Sequence, residues 1–243
     1  MTADNIGETT SKYGAMKPHD RGLILYPHKT ERRSVEHDAL DKWVGWEHIM
    51  RLYNKALSMD ALDGRKRALY FVTIFQTGGR VSEVCKILNR NIEYDDNKIV
   101  VNLMDVLKRR RRFTRSAIIK REGNQLADEF IRHFEESKAH GNVYLLSGST
   151  RGRYTVNAPD KPASRRVIYG DITSIDDTIW PHWIRDARSW HLGAKVEQGG
   201  RGFDAFLLKT YFGWARMDMA AHYAGRRDED DIMDAFGIPR GTN

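Results

Sequence analysis

The stretch Asn91-Ile-Glu-Tyr-Asp-Asp-Asn-Lys-Ile-Val-Val-Asn-Leu103 decides the fold class. Two short runs rich in apolar and β-branched residues flank the turn Asp95-Asp-Asn97, a pattern that predicts a β-hairpin. On either side the apolar period is helical. Upstream, Trp46, Ile49, Met50, Tyr53 and Leu57 form the stripe of an amphipathic helix. A second helix is expected from Arg65 to Gln76, ended by Gly78-Gly79, and a third from about Val81 that buries Val84, Ile87 and Leu88. Downstream, Val106-Leu107 and Ser116 to Ile119 predict another hairpin around a basic connection. A helix over Asn124 to Ser137 uses Leu126, Phe130 and Phe134, and the Gly-, Ser- and Pro-rich Ser147 to Ala163 reads as a loop. Pro181 opens a helix that runs to about Val196, because a missing N–H costs nothing at a first helical position. Gly199-Gly-Arg-Gly202 breaks it, and two helices follow, Phe203 to Tyr211 and Ala215 to Ala224. The expected class is α+β, mostly helical, with a small antiparallel sheet.

A length of 243 residues suits one large domain or two small ones. A hydrophobic fraction of 40% supplies a core and argues against disorder throughout. Residues 1–41 have no clean period and read as a tail or linker, with a short extended piece at Leu23-Ile-Leu-Tyr26; residues 42–243 read as the folded domain. Lys and Arg exceed Asp and Glu by 40 to 33, a net charge of +7, which favours nucleic acid as partner, ahead of an anionic membrane. The single cysteine, Cys85, excludes an intramolecular disulfide and a cysteine-only zinc cluster; between Val84 and Ile87 it reads as a core residue. Met1 to Gly14 has no apolar signal core, and the longest apolar run, Ala68 to Phe75, is too short to span a bilayer. The expected place is the cytoplasm, without a membrane partner.

Four constellations could carry chemistry. In Thr77-Gly-Gly-Arg-Val-Ser-Glu83 a glycine pair permits a tight turn and sets Arg80 beside a helix start, a place for a phosphate oxyanion. Alone, it also describes a helix–helix turn with a surface arginine. His182-Trp-Ile-Arg185 puts an imidazole and a guanidinium on one helical face, one able to exchange a proton and the other to grip a phosphate in two places. A capped surface helix accounts for it equally well. The run Lys108-Arg-Arg-Arg-Arg112-Phe-Thr-Arg115 is the densest charge in the chain; it is either a solvated hairpin tip or a probe for the DNA backbone through Arg109, Arg110, Arg111, Arg112 and Arg115. The last constellation is Gly213-Trp214 followed by His222-Tyr223, where packing alone is the simpler account of a helical tyrosine.

Together these stretches resemble the catalytic domain of the tyrosine recombinases, the phage-integrase type. The family pattern runs arginine, hairpin lysine, histidine-x-x-arginine, histidine or tryptophan, then tyrosine. Here the order is kept, and Tyr223 stands nine residues after Trp214. The resemblance covers Lys42 to the C-terminus. It implies a site made of Arg80, Lys108, His182, Arg185, Trp214 and Tyr223, with Glu83 orienting Arg80 or a neighbour. It also implies cleavage of double-stranded DNA through a 3′-phosphotyrosyl link, without metal or ATP, consistent with the absence of a G-x-x-x-x-G-K-[ST] loop from the sequence. In that scheme Arg80 and Arg185 hold the non-bridging oxygens, His182 accepts or relays the phenol proton, and Lys108 protonates the leaving oxygen. Self-association on DNA, as a synaptic tetramer, is implied for the C-terminal tail, where Ile232, Met233 and Phe236 form a small apolar face.

There are departures from the pattern. Tryptophan replaces the usual histidine at position 214, and the interval from Arg185 to Trp214 is lengthened around Glu197 to Gly202. Residues 1–41 are too short for the family's N-terminal DNA-clamping domain, so the expectation is a catalytic fragment or an unusually small member. Other readings share some of these residues: a type IB topoisomerase, a telomere resolvase, or a DNA-binding relic without catalysis. A metal nuclease would instead rely on Asp95-Asp96, Asp176-Asp177 or Asp228 to Asp231.

Overall fold

The computed structural model describes residues 45–59, 61–108, 111–150, 156–193 and 202–224. The expected tail 1–41, Arg109, Arg110, most of the inserted stretch 197–202 and the C-terminal segment 225–243 lie outside the described residues.

Helix α1, Trp46–Ser58, buries Ile49, Leu52, Tyr53 and Ala56; of the expected stripe Ile49 and Tyr53 are buried, while Trp46, Met50 and Leu57 stay partly exposed, so the buried face is turned toward Leu52 and Ala56. It packs on α2, Ala61–Thr77, the central helix of the domain. From Tyr70 to Thr77 every residue of α2 is buried, as a helix surrounded by other elements must be. Phe71 and Phe75 stack at 6.4 Å along it, and burial of each such ring contributes about 1.5–3 kcal/mol. The chain leaves α2 at Gly78, whose φ of +55° favours glycine. A Cβ there would also overlap the ring of Phe212. The next helix, α3, is a single turn, Val81–Val84, shorter than the sequence pattern suggested.

The sheet follows as β1 Ile92–Tyr94, β2 Lys98–Lys108 and β3 Arg111–Lys120, antiparallel and in that spatial order. The two hairpins expected from the sequence share β2: it pairs with β1 on one edge and with β3 along its whole length, with a register shift between Leu103 and Val106. Ile99, Val101, Leu103, Ala117 and Ile119 form the buried face. Helix α4, Gln125–Ala139, is capped by the Asn124 side chain, packs on α2 and buries Leu126, Ala127, Phe130 and Phe134.

Residues 147–163 are not the expected loop. The described part holds two antiparallel strands, β4, Ser147–Thr150, and β5, Val156–Pro162. A helix with no counterpart in the sequence reading follows: α5, Arg165–Ile175, capped by Ser164 and anchored by Ile168, Ile172 and Ile175. Helix α6, Pro181–Gly193, packs across α2; α7, Ala205–Phe212, is capped by Asp204 and ends at Gly213, with φ of +62°. Helix α8, Met217–Ala221, is short, and Tyr223 stands in the turn beyond it rather than within a helix. No described helix is long and apolar enough to cross a membrane.

Candidate active site

The turn after α2 turns its carbonyls toward cations. Arg115, from β3, donates through Nη1 to the Tyr211 carbonyl at 2.6 Å and through Nη2 to the Gly78 carbonyl at 3.2 Å. Arg185, from α6, donates to the same Gly78 carbonyl and to that of Phe212, the latter at 2.9 Å. Glu83 ties the group together. Its Oε1 accepts from Arg80 Nη1 at 2.6 Å, and its Oε2 accepts from Arg115 Nη2 at 3.1 Å and from the Arg80 backbone N–H at 3.0 Å. Arg185 Nη1 stands 3.9 Å from the same oxygen.

Three guanidinium groups thus surround one carboxylate, and the site is cationic. Arg185 is 1% exposed, while the Arg80 side chain keeps 39% of its surface open. Burial pushes the Glu83 carboxyl up, but Arg115, the Arg80 backbone N–H, and the charges of Arg185 and Arg80 outweigh it and hold the carboxyl below its ordinary range. Burial lowers Arg185 to about 9, with Arg80 and Arg115 pulling the same way and Glu83 opposing, so it remains a cation at neutral pH.

An aromatic stack runs from this cluster to the tyrosine. The Arg185 guanidinium lies 4.9 Å from the ring centre of Phe212 and 6.0 Å from that of Trp214. Phe212 stacks on Trp214 at 4.7 Å, and Trp214 stacks on Tyr223 at 5.2 Å. Trp190 and His222 meet Tyr223 edge-on at 5.0 and 5.1 Å. Gly193 closes the pocket from behind, where a Cβ would overlap the Tyr223 carbonyl oxygen. Tyr223 is 7% exposed, and its hydroxyl donates to Asp186 Oδ1 at 3.1 Å. Burial raises the phenol's pKa, and the charge and hydrogen bond of Asp186 raise it further against the pull of Arg185. Burial likewise raises Asp186, against His182, the Tyr223 hydroxyl and Arg185.

Of the residues expected from sequence, Arg80, Glu83, Arg185, Trp214 and Tyr223 come together here. His182 lies in the first turn of α6, its side chain 59% exposed and its Nε2 4.0 Å from Asp186 Oδ1; the hydroxyl of Tyr223 is bonded to Asp186, not to His182. Lys108 ends β2, its backbone in register with Arg111, and Leu107 is in register with Arg112. Arg115 departs from expectation. It is buried under the site and bonded to Glu83, not presented to solvent.

Asp186 and the inward role of Arg115 escaped the sequence reading. Both had a signal: Asp186 is four residues after His182 on the same helical face, and Arg115 alternates with Ala117 and Ile119 on the buried face of β3. The acidic pairs have local structural roles. Asp95 accepts from the Asn97 and Lys98 backbone N–H groups, and Asp176 bonds Thr178 and Lys55. No cluster of three metal-ligating side chains occurs among the described residues.

Solved structures with the same arrangement of elements decide the fold. XerH site-specific recombinase, in a post-cleavage complex with its palindromic difH substrate, superposes with a TM-score of 0.56 at 13% identity, over 81% of this chain and 52% of that one. The fold is that of a tyrosine recombinase catalytic domain. XerA recombinase matches this recombinase fold with a TM-score of 0.51 at 16% identity, over 82% of this chain and 66% of that one. The Tn1549 transposon integrase in complex with circular intermediate DNA gives 0.50 at 16% identity, over 80% of this chain and 64% of that one. The chain therefore spans between half and two thirds of the length of these proteins. No protein-family model matches the sequence, and no curated protein matches it.

Proposed function

We propose that this protein is a site-specific DNA recombinase or integrase that breaks and rejoins strands through Tyr223. The observation that carries this reading is the convergence of Arg80, Arg185, Trp214 and Tyr223, from three distant stretches of chain, on one cationic site. A phenol, with a pKa of about 10, is a weak nucleophile at neutral pH and needs strong positive charge at the phosphorus it attacks. Arg80 is the exposed cation of the cluster and makes first contact with the scissile phosphate. Arg185 lies beneath it and stabilises the charge that builds on the non-bridging oxygens. Glu83 holds Arg80 in place, and the Trp214 ring sets the plane of the nucleophile. Lys108, on the hairpin beside Arg109 to Arg112, protonates the leaving 5′-oxygen. The bond energy stays in the 3′-phosphotyrosyl ester, so rejoining needs no ATP.

Three solved proteins of this fold are named as recombinases or an integrase, and two of them are bound to DNA, which supports double-stranded DNA as the partner. Assembly of protomers on DNA through the segment 228–243 belongs to the same proposal.

The test is covalent trapping on a nicked suicide duplex in excess EDTA. The wild-type protein is expected to give a protein–DNA adduct and Tyr223→Phe none, with DNA binding retained. Arg80→Ala and Arg185→Ala are expected to lower the cleavage rate on the order of 10²-fold or more, the usual scale for one transition-state contact. A normal adduct from Tyr223→Phe removes this residue as nucleophile, and an adduct that forms only with Mg²⁺ returns the reaction to metal chemistry.

A further inference from the structure

Tyr223 is held by both its ring and its hydroxyl. Its ring is clamped between Trp214 and Trp190, and its hydroxyl is committed to Asp186 Oδ1 at 3.1 Å. The scissile phosphodiester is an anion, and the carboxylate of Asp186 occupies space beside the oxygen that must meet it. Two like charges cannot share one small site cheaply.

We infer that Asp186 is a latch on the nucleophile: it positions the Tyr223 hydroxyl in a resting pose and must let go before the strand is cut. This inference rests on the cleavage reading proposed above and adds a control to it. The latch also has a second place to bind. His182 Nε2 stands 4.0 Å from the same Oδ1, one helical turn back on α6, so the carboxylate has an imidazole to turn to when the phenol leaves. Arg185, the preceding residue in the chain, and His222, packed on the Tyr223 ring, are the other charged or titratable groups that act on it among the described residues. A phosphate drawn in by Arg80 repels Asp186 toward His182 and frees the hydroxyl. No group is transferred in this step; one hydrogen bond is exchanged for another. In free protein the latch keeps the phenol neutral and covered, so DNA that does not fill the site is not cut.

The test uses the full chain as wild type, Asp186→Ala and Asp186→Asn. Two readouts are taken: the first-turnover rate of adduct formation on a nicked duplex, and O-acetylation of Tyr223 by N-acetylimidazole in DNA-free protein, followed by peptide mass spectrometry. Asp186→Ala is expected to form adduct faster, on the order of tenfold, the effect of one charge-assisted hydrogen bond. It is also expected to acetylate faster at Tyr223. Asp186→Asn keeps the shape but bonds the phenol more weakly, and should fall between the two. A slower or abolished adduct with Asp186→Ala overturns the latch and makes the carboxylate the proton acceptor. Equal rates and equal acetylation overturn it as well, leaving only packing. If no variant, wild type included, gives an adduct, the cleavage reading fails, and the acetylation arm still decides whether Asp186 restrains Tyr223.

Discussion

Glu83 is the residue on which the site's cations converge, and its position sets a steep energetic contrast. It is buried with Arg115, and Arg185 lies close by, also buried, while Arg80 reaches solvent. Removing one member of a buried ion pair leaves its partner uncompensated, at a cost of about 3–5 kcal/mol. Glu83→Gln is therefore expected to lower the urea midpoint severely. Arg80→Ala, which exposes no buried charge, should lower it by less than about 1 kcal/mol equivalent. Comparable losses from the two substitutions would show that the carboxylate is not the keystone of the cluster. Much at this scale was legible in the sequence: Arg80, Arg185, Trp214 and Tyr223 were each marked by a short motif. What was not legible were partnerships between residues far apart in the chain. Nothing local in the basic run says that Arg115 bonds Glu83, 32 residues away.

Between elements, the least expected feature is a polar knot joining α1 to α4. The Tyr53 hydroxyl donates to Glu129 at 2.6 Å and lies 3.1 Å from His133 Nε2, while Arg132 bridges Glu129 and Glu136. Burial lowers His133 to about 4, with Arg132 adding to the effect and Glu136 and Glu129 opposing. An unfolded histidine titrates near about 6.5. As pH falls from there toward about 4, the unfolded chain takes up a proton that the folded chain refuses, so stability present at neutral pH is lost. The loss attributable to His133 is on the order of 2–3 kcal/mol across that window. Urea melts at pH 7 and pH 4.5 should show a smaller drop for His133→Gln than for wild type; equal drops would mean that the imidazole is protonated in the folded protein. Element by element, helices with a clean apolar stripe, such as α1 and α4, were readable to within a few residues. The β4–β5 pair was not, because Gly148 and Pro162 carry the composition of a loop while pairing across strands. Helix α5 escaped because its anchors Ile168, Ile172 and Ile175 sit among Arg165, Arg166, Asp171 and Ser174.

For the whole molecule the governing quantity is charge. A net charge of +7 draws a polyanion from a distance, but only cations that meet phosphates release counterions. The basic run between Lys108 and Arg115 looks like one block in sequence, yet its last arginine belongs to the core. Arg115 faces inward and is bonded to Glu83 and to backbone carbonyls, whereas Arg111 and Arg112 open β3, their backbones in register with Lys108 and Leu107. Arg115 must therefore differ from a phosphate-binding arginine in how salt acts on it. Each arginine that meets a phosphate adds about 0.9 to the slope of log K against log salt concentration. Converting Arg109 to Arg112 into glutamines should flatten that slope by up to this amount for each of the four that touches a phosphate. Binding to every duplex should weaken alike, since phosphate contacts carry no sequence information. Arg115→Met, by contrast, should leave the slope of the folded protein unchanged and act on cleavage, by loosening Glu83 and the Gly78 carbonyl that also holds Arg185. Titrations of binding between about 50 and 200 mM salt separate the two cases, because that range moves a protein with several phosphate contacts through orders of magnitude in affinity. An unchanged slope in the hairpin variant would take the tip off the DNA. A flattened slope in Arg115→Met would bring that arginine out of the core and onto the phosphate backbone.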